Sequence, residues 1–382
     1  MLQAIRLPAL FALLWLTGMY LRLPMLAAPP LASDMALALR LNALQQGMLT
    51  TLPLIMLAIG AVPGSVLIQK LGARPALVIS LVFIALFSAA RGLAPNGALL
   101  LLATAGMGFG VAMMQPALPA LLPAWLNSKH LAMGTAIYMN GMLIGEFTGA
   151  GLTIPLLMPL LEQSWRATIV VWSLPAILIA LLLLLPKGQP KPVNTSSWMP
   201  NWRSPLIWQM GFLMSTSSTL FFGANAYMAP VLEARGEADW LAASLFWFNL
   251  FQVVASVLLI RMAKRWVGLR APLIFAAVLG LSGMIVFIQA AGLTALFGLL
   301  MVSFASAFLL ILLVALPPMI SREQAGAISA GAFTIGYAMS FFVPLIGGWI
   351  AQTSGSINLA IWTLIAYATI AVPLAVKMPK NQ

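Results

Sequence analysis

Cysteine is absent from this chain of 382 residues, histidine occurs once, and acidic side chains number only seven. The first absence removes disulfides, thiolate metal sites and cysteine nucleophiles together. The single histidine, His130, falls in a short polar gap and reads as a solvated loop residue, so no imidazole cluster exists to hold a metal. No glycine-rich nucleotide loop and no long soluble stretch is present either. The sequence therefore offers no catalytic residues, no metal site and no cofactor site. Charge as a whole is scarce, at 7% of residues against about 25% in a soluble domain.

What the chain has instead is apolar surface, 62% of its residues, with a mean hydropathy of +1.03. That composition belongs to a polytopic helical membrane protein whose main partner is the lipid bilayer. A net charge of +12 would point to nucleic acid in a soluble chain. Here most basic residues sit in short gaps between apolar runs, where they orient helices, and no nucleic-acid partner is expected.

Cutting at the polar gaps gives twelve segments, near 7–29, 48–69, 75–94, 98–125, 131–159, 165–185, 205–232, 241–262, 271–291, 293–319, 325–351 and 357–377. Each can cross about 30 Å of hydrocarbon. With the N-terminus inside, fourteen Lys and Arg fall on cytoplasmic ends and four, Arg40, Arg91, Arg166 and Arg235, on the outer side. That bias predicts cytoplasmic N- and C-termini. Arg91 reads as an outer interface anchor. A cleaved signal peptide is the alternative for the start, but the first run is too long for one and contains an arginine.

Residues 186–204, rich in Pro, Lys, Ser and Asn, read as a cytoplasmic linker between an N-terminal bundle, 1–185, and a C-terminal bundle, 205–382. The halves repeat: GARPAL at Gly72–Leu77 follows the second segment and GLRAPL at Gly268–Leu273 follows the eighth. Turns at equivalent points of two six-helix halves predict a parallel duplication. Glycines at 134, 141, 145 and 149 put a small-residue face on the fifth segment, where another helix can approach closely. The fourth segment combines three glycines with Pro116, Pro119 and Pro123, which predicts a bent or broken helix.

The first run, Leu7 to Pro30, carries Arg22 about two-thirds of the way along. An arginine cannot discharge itself, and at a helix centre its charge costs from ~3 to above ~10 kcal/mol, so it faces a protein interior or a wet cavity. Two readings follow: an anion or nitro-group site, or a structural ion pair with an internal carboxylate. Glu146 is the one carboxylate placed within a span. Arg22 and Glu146 each lie about 15 residues from the cytoplasmic end of their segments, ~22 Å deep at 1.5 Å per residue, so the two can meet.

Five stretches carry a family resemblance: YLRLPMLAAPPL at Tyr20–Leu31, QQGMLTTLPL at Gln45–Leu54, SAARGLAP at Ser88–Pro95, QPALPALLP at Gln115–Pro123 and NWRSPLIWQ at Asn201–Gln209. Over nearly the whole chain they resemble the cyanate permease and nitroimidazole transporter branch of the major facilitator superfamily. The resemblance implies an all-α fold of twelve transmembrane helices in two pseudo-symmetric six-helix bundles, and a monomer in a bacterial inner membrane. Two marks depart from the pattern. Leu23 separates Arg22 from Pro24, which changes the local bend, and Gln69 stands where the loop after helix two usually has Asp. GMLIGEFTGAG at Gly141–Gly151 resembles a glycine-rich antiporter motif with Glu146 in place of proline.

The expected site joins Arg22 with Tyr20, Gln115, Tyr138 and Asn140 from the first half and Asn225, Tyr227, Trp247, Asn249 and Tyr337 from the second, around a small-molecule, anionic or nitro-bearing solute. Glu146 is the candidate proton-coupling group, so protons are an expected partner. The leading function is secondary active transport by alternating access. Proton-driven drug efflux is the alternative, and a membrane enzyme or receptor the third class.

Overall fold

The computed structural model describes residues 7–41, 43–185 and 199–378. Among them all regular structure is helical. The main helices are α1 Leu7–Met19, α2 Ala43–Leu71, α3 Ala73–Leu93, α4 Gly97–Trp125, α5 Leu131–Leu152 and α6 Trp165–Leu184, then α7 Pro205–Ala234, α8 Leu241–Trp266, α9 Arg270–Gln289, α10 Gly292–Val314, α11 Ala325–Ser354 and α12 Asn358–Ala368, the last continued by Ala371–Lys377. Eleven stretches among the described residues are long and apolar enough to cross a bilayer. The twelfth helix, α7, has the length at 30 residues, but the hydroxyl run Ser215–Thr219 dilutes its hydropathy.

Two local departures from the sequence reading have backbone causes. The first run is not one helix: α1 stops at Met19 and a short helix restarts at Leu23–Leu26. Between them Tyr20, Leu21 and Arg22 donate their backbone N–H groups to Thr17, Gly18 and Met19, a tightened turn. Pro24, at the second position of the short helix, has no N–H to continue α1 and disfavours helical backbone at the residue before it. α5 likewise gives way to a wide turn at Thr153–Leu157, where Pro155 removes a donor. By contrast α4 is unbroken over 29 residues despite its three prolines. Glycines hold it laterally against α2: a Cβ at Gly64 would lie 2.7 Å from the Met113 carbonyl, and one at Gly108 2.8 Å from the Cα of Pro53.

Contacts group the helices into two compact units. The first takes α1 to α6 together with Pro317–Ala330, which includes the start of α11, and the second takes α7 to α10 with the rest of α11 and α12. In the first, α1 packs on α5, and α3 packs on α4 and α6. In the second, α10 packs on α7, α8 and α9, and the stacked rings of Phe221 and Phe248, 5.3 Å apart, sit in the core. Of the stretch read as a linker, residues 186–198 lie outside the described residues.

The repeat seen in the sequence is present in three dimensions. Gly72 and Gly268 both adopt positive φ, +93° and +89°, in the turns that open α3 and α9, a conformation a Cβ would disfavour. Two residues later the arginines do the same job. Arg74 donates its Nε to the Leu183 carbonyl at 2.6 Å, and Arg270 donates its Nε to the Met378 carbonyl at 2.5 Å. Each thereby satisfies an orphan carbonyl at the end of its own unit's last helix.

Candidate functional site

The glycine face of α5 finds its partner in α1. A Cβ at Gly141 would lie 2.1 Å from the Trp15 carbonyl oxygen, one at Gly145 2.2 Å from that of Met19, and one at Gly149 2.7 Å from that of Leu23. Gly18 returns the arrangement, its Cβ position lying 2.0 Å from the Tyr138 carbonyl. At these glycines backbone meets backbone along α1, on both sides of the break at residues 20–22. Trp15 adds a tether, donating its indole N–H to Asn140 Oδ1 at 2.8 Å.

This packing brings the two intramembrane charges together. Arg22 follows Met19 in the tightened turn, Glu146 follows the glycine that Met19 touches, and the charge of Arg22 acts on the Glu146 carboxyl. Both are buried, Arg22 at 4% and Glu146 at 6% exposure. Arg22 also reaches over its own next turn, with NH1 3.9 Å from Met25 Sδ. The break is braced on another side by Tyr20, whose hydroxyl donates to the Trp172 carbonyl at 2.9 Å. Trp172 in turn donates to Thr153 Oγ1 at 2.9 Å, and Thr153 donates to the Gly149 carbonyl at 2.5 Å. A strip of polar contacts therefore fixes the turn that presents Arg22.

The other predicted residues divide by unit. In the first, Gln115, Tyr138 and Asn140 are buried, and Asn140 shares the α1–α5 seam with Arg22 and Glu146. In the second, Asn249 donates to Asn225 Oδ1 at 3.4 Å and to the Leu245 carbonyl at 2.8 Å, so α7 and α8 meet at an amide pair. Tyr227 donates to the Pro344 carbonyl. Tyr337 is buried and stacks on Phe333, with ring centroids 5.9 Å apart. Trp247 lies apart from these, 46% exposed and edge-on to Phe246.

Arg91 is the residue that sequence reading misplaced. Expected as an outer interface anchor, it is the largest fully buried side chain of the described residues, at 1% exposure. Its NH1 donates to the Pro24 carbonyl at 2.8 Å. A four-residue helix cannot satisfy its own last carbonyls, so the segment beginning at Leu23 needs an outside donor, and Arg91 is in place to supply it. The available signal was Pro24 itself, which forces the break. What could not be read was which residue the exposed carbonyl would recruit.

The family model described as Major Facilitator Superfamily matches residues 10–344. The chain belongs to that superfamily. It is a multi-pass membrane transporter and not an enzyme. Among curated relatives, the 2-nitroimidazole transporter of Escherichia coli is 26% identical over 359 residues, covering 88% of this chain and 86% of its own. The cyanate transport protein CynX of Escherichia coli is 25% identical over 348 residues, covering 89% of each. Of solved structures, the proton:xylose symporter XylE bound to 6-bromo-6-deoxy-D-glucose matches 98% of this chain and 96% of its own with a TM-score of 0.79, at 16% identity. At that identity the last likeness concerns the fold alone. The resemblance read from the five sequence stretches thus agrees with both the family match and the transporter's relatives.

Proposed function

We propose that the protein moves a small anionic or nitro-bearing solute by alternating access, with Arg22 as the anchor for its negative or electron-rich end and Glu146 as the proton-coupling group. The observation that carries this reading is the placement of a buried guanidinium in a helix break beside the one buried carboxylate of the described residues. A planar guanidinium offers two parallel donors to carboxylate, cyanate or nitro oxygens, and a medium of low dielectric strengthens the attraction. A proton taken up by Glu146 removes the competing negative charge and frees Arg22 for an anionic solute. The names of the two Escherichia coli relatives agree with that solute class.

The positive-inside bias supports cytoplasmic termini. The efflux reading rested on the aromatic content and on the α5 glycines, and a fixed arginine that calls for an anion weighs against it. The contact of these glycines with α1 accounts for them by packing, so they favour neither direction of transport.

The test is uptake of cyanate and of 2-nitroimidazole by proteoliposomes, with and without an inward pH gradient. Accumulation driven by the gradient in wild type, lost in Glu146→Gln while solute exchange persists, is the expected result. Gradient-driven accumulation unchanged in Glu146→Gln would reduce Glu146 to a structural partner. Failure of both solutes to enter would remove the proposed solute class.

A further inference from the structure

The second unit is polar inside without being charged. Ser215 to Thr219 of α7, five hydroxyl residues in succession, are all buried, none above 6% exposure. No Asp, Glu, Lys, Arg or His of that unit is buried among the described residues. Two of the five, Thr216 and Ser217, line a small cavity of about 10 Å³ together with Ser306 of α10. The rest of its wall is apolar, made of Leu220, Leu309 and alanines of α9, α10 and α12, and no lining residue is more than 5% exposed.

The hydrogen bonds already made decide what this cavity can take. A hydroxyl has one proton to give and lone pairs to accept with. Thr216 gives its proton to the Leu213 carbonyl at 2.7 Å, and Ser217 gives its own to the Ser306 carbonyl at 2.7 Å. Both are left as acceptors. The Ser306 hydroxyl is buried with no hydrogen-bond partner among the described residues, which leaves a donor in need of an acceptor. A cation would use the lone pairs but strand the Ser306 proton, and no carboxylate inside the unit offsets its charge. An anion would use that proton alone. Water both donates and accepts, and the cavity is about the size that one water needs.

We propose that this cavity is a binding site for one water, which accepts from Ser306 and donates to Thr216 and Ser217, completing a polar joint between α7 and α10. The inference goes beyond the transport reading and does not depend on Arg22. It also gives the two units different ways of bracing their first helix. In the first, Tyr20 spans from the turn after α1 to the Trp172 carbonyl of α6 with its own side chain. In the second, the hydroxyls of α7 are short: Ser215 meets the Tyr367 hydroxyl of α12 at 2.5 Å, and water extends the reach of Thr216 and Ser217.

The test is hydroxyl-radical footprinting by X-ray radiolysis of the whole protein in detergent, because radicals formed from a held water oxidise the side chains around it even where bulk solvent does not reach. Leu220 and Leu309 are expected to be oxidised several-fold faster than Leu213 and Leu299, which are buried in the same unit away from the cavity wall. Thr216→Val with Ser306→Ala removes the polar partners and leaves an apolar cavity, which stays dry. The rates at Leu220 and Leu309 should then fall to those of the reference leucines. Ser306→Ala alone removes the one donor and should lower both rates as well, so the test does not depend on the double variant folding. Wild-type rates no higher than the references overturn the proposal. Oxidation undiminished in a folded variant overturns it too, since it marks a leak from bulk solvent. A melting temperature raised by Na⁺ relative to choline in wild type, and not in the variants, overturns it in favour of a cation site.

Discussion

Gly145 and Met19 touch through main-chain atoms, closely enough that a Cβ on the glycine would sit 2.2 Å from the methionine carbonyl oxygen. No rotamer relieves such a contact, because both sides are backbone. Gly145→Ala must push α1 away from α5, and overpacking of this kind costs about 1–3 kcal/mol, more where nothing can shift. The expected outcome is a lowered melting temperature in detergent and a loss of transport, since the displaced turn carries Arg22. Gly151 serves as the control on the same helix: a Cβ there would meet only the Phe147 ring at 3.5 Å or beyond. Gly151→Ala should leave the melting temperature unchanged or slightly raised. Equal effects of the two substitutions would show that the α1–α5 seam is not under this constraint.

The paired arginines of the repeat predict a symmetric phenotype. Arg74→Ala and Arg270→Ala each delete one charge-assisted hydrogen bond to a terminal carbonyl, at 2.6 Å and 2.5 Å. Such bonds contribute about 1.5–3 kcal/mol when the acceptor has no substitute, and less where water can replace the donor. Both variants should melt earlier by similar amounts, with solute affinity per folded molecule unchanged. A large effect from one and none from the other would mean that the turns share a sequence but not a role.

Topology can be checked on a chain with no native thiol to remove. Asp239 and Glu323 are both exposed, and the charge bias assigns them to opposite sides of the membrane. Asp239→Cys is expected to react with an impermeant maleimide added to intact cells, and Glu323→Cys only after the membrane is opened. The reverse pattern would invert the orientation.

Several features of this transporter were legible because they follow from periodic or compositional rules. The apolar runs mark their own spans, and the glycines at 141, 145 and 149 announce a seam before its partner is known. Gly72 and Gly268 signal turns because their positive φ is hard for other residues to adopt. The adjacency of Arg22 and Glu146 followed from depth alone. Arg91 resisted because its burial depends on a long-range event, the exposure of a carbonyl by a break sixty-seven residues earlier. That α4 runs on as one helix through its three prolines was not legible for a related reason: prolines count locally, whereas the close contacts of Gly64 and Gly108 between α2 and α4 are tertiary. Tyr20 shows the same limit. Its hydroxyl gives its proton to the Trp172 carbonyl on α6, a partner that its place beside Arg22 in the chain does not announce.

The Arg22–Glu146 relationship separates an anchor from a mere ion pair through a double substitution. Either single change, Arg22→Ala or Glu146→Ala, leaves an opposite charge buried, and breaking such a pair typically costs about 3–5 kcal/mol. Both single variants should therefore be poorly folded, and their lack of transport would say little. Arg22→Ala with Glu146→Ala removes the imbalance, and the two losses should be strongly non-additive, with most of the melting temperature recovered. If Arg22 existed only to neutralise Glu146, transport would return along with folding. The expected result is a folded protein without solute binding, because nothing remains to hold the negative end beside the break. Arg22→Lys gives the graded case: it keeps the charge opposite Glu146 but loses the planar fork, so folding should persist while affinity falls by about 1–3 kcal/mol, roughly five- to 150-fold. Binding is read by the rise in melting temperature with added cyanate or 2-nitroimidazole, which reports preferential binding to the folded state. Normal transport by the double variant would sink the assignment of Arg22 as anchor and leave the pair as a structural joint between α5 and the turn after α1.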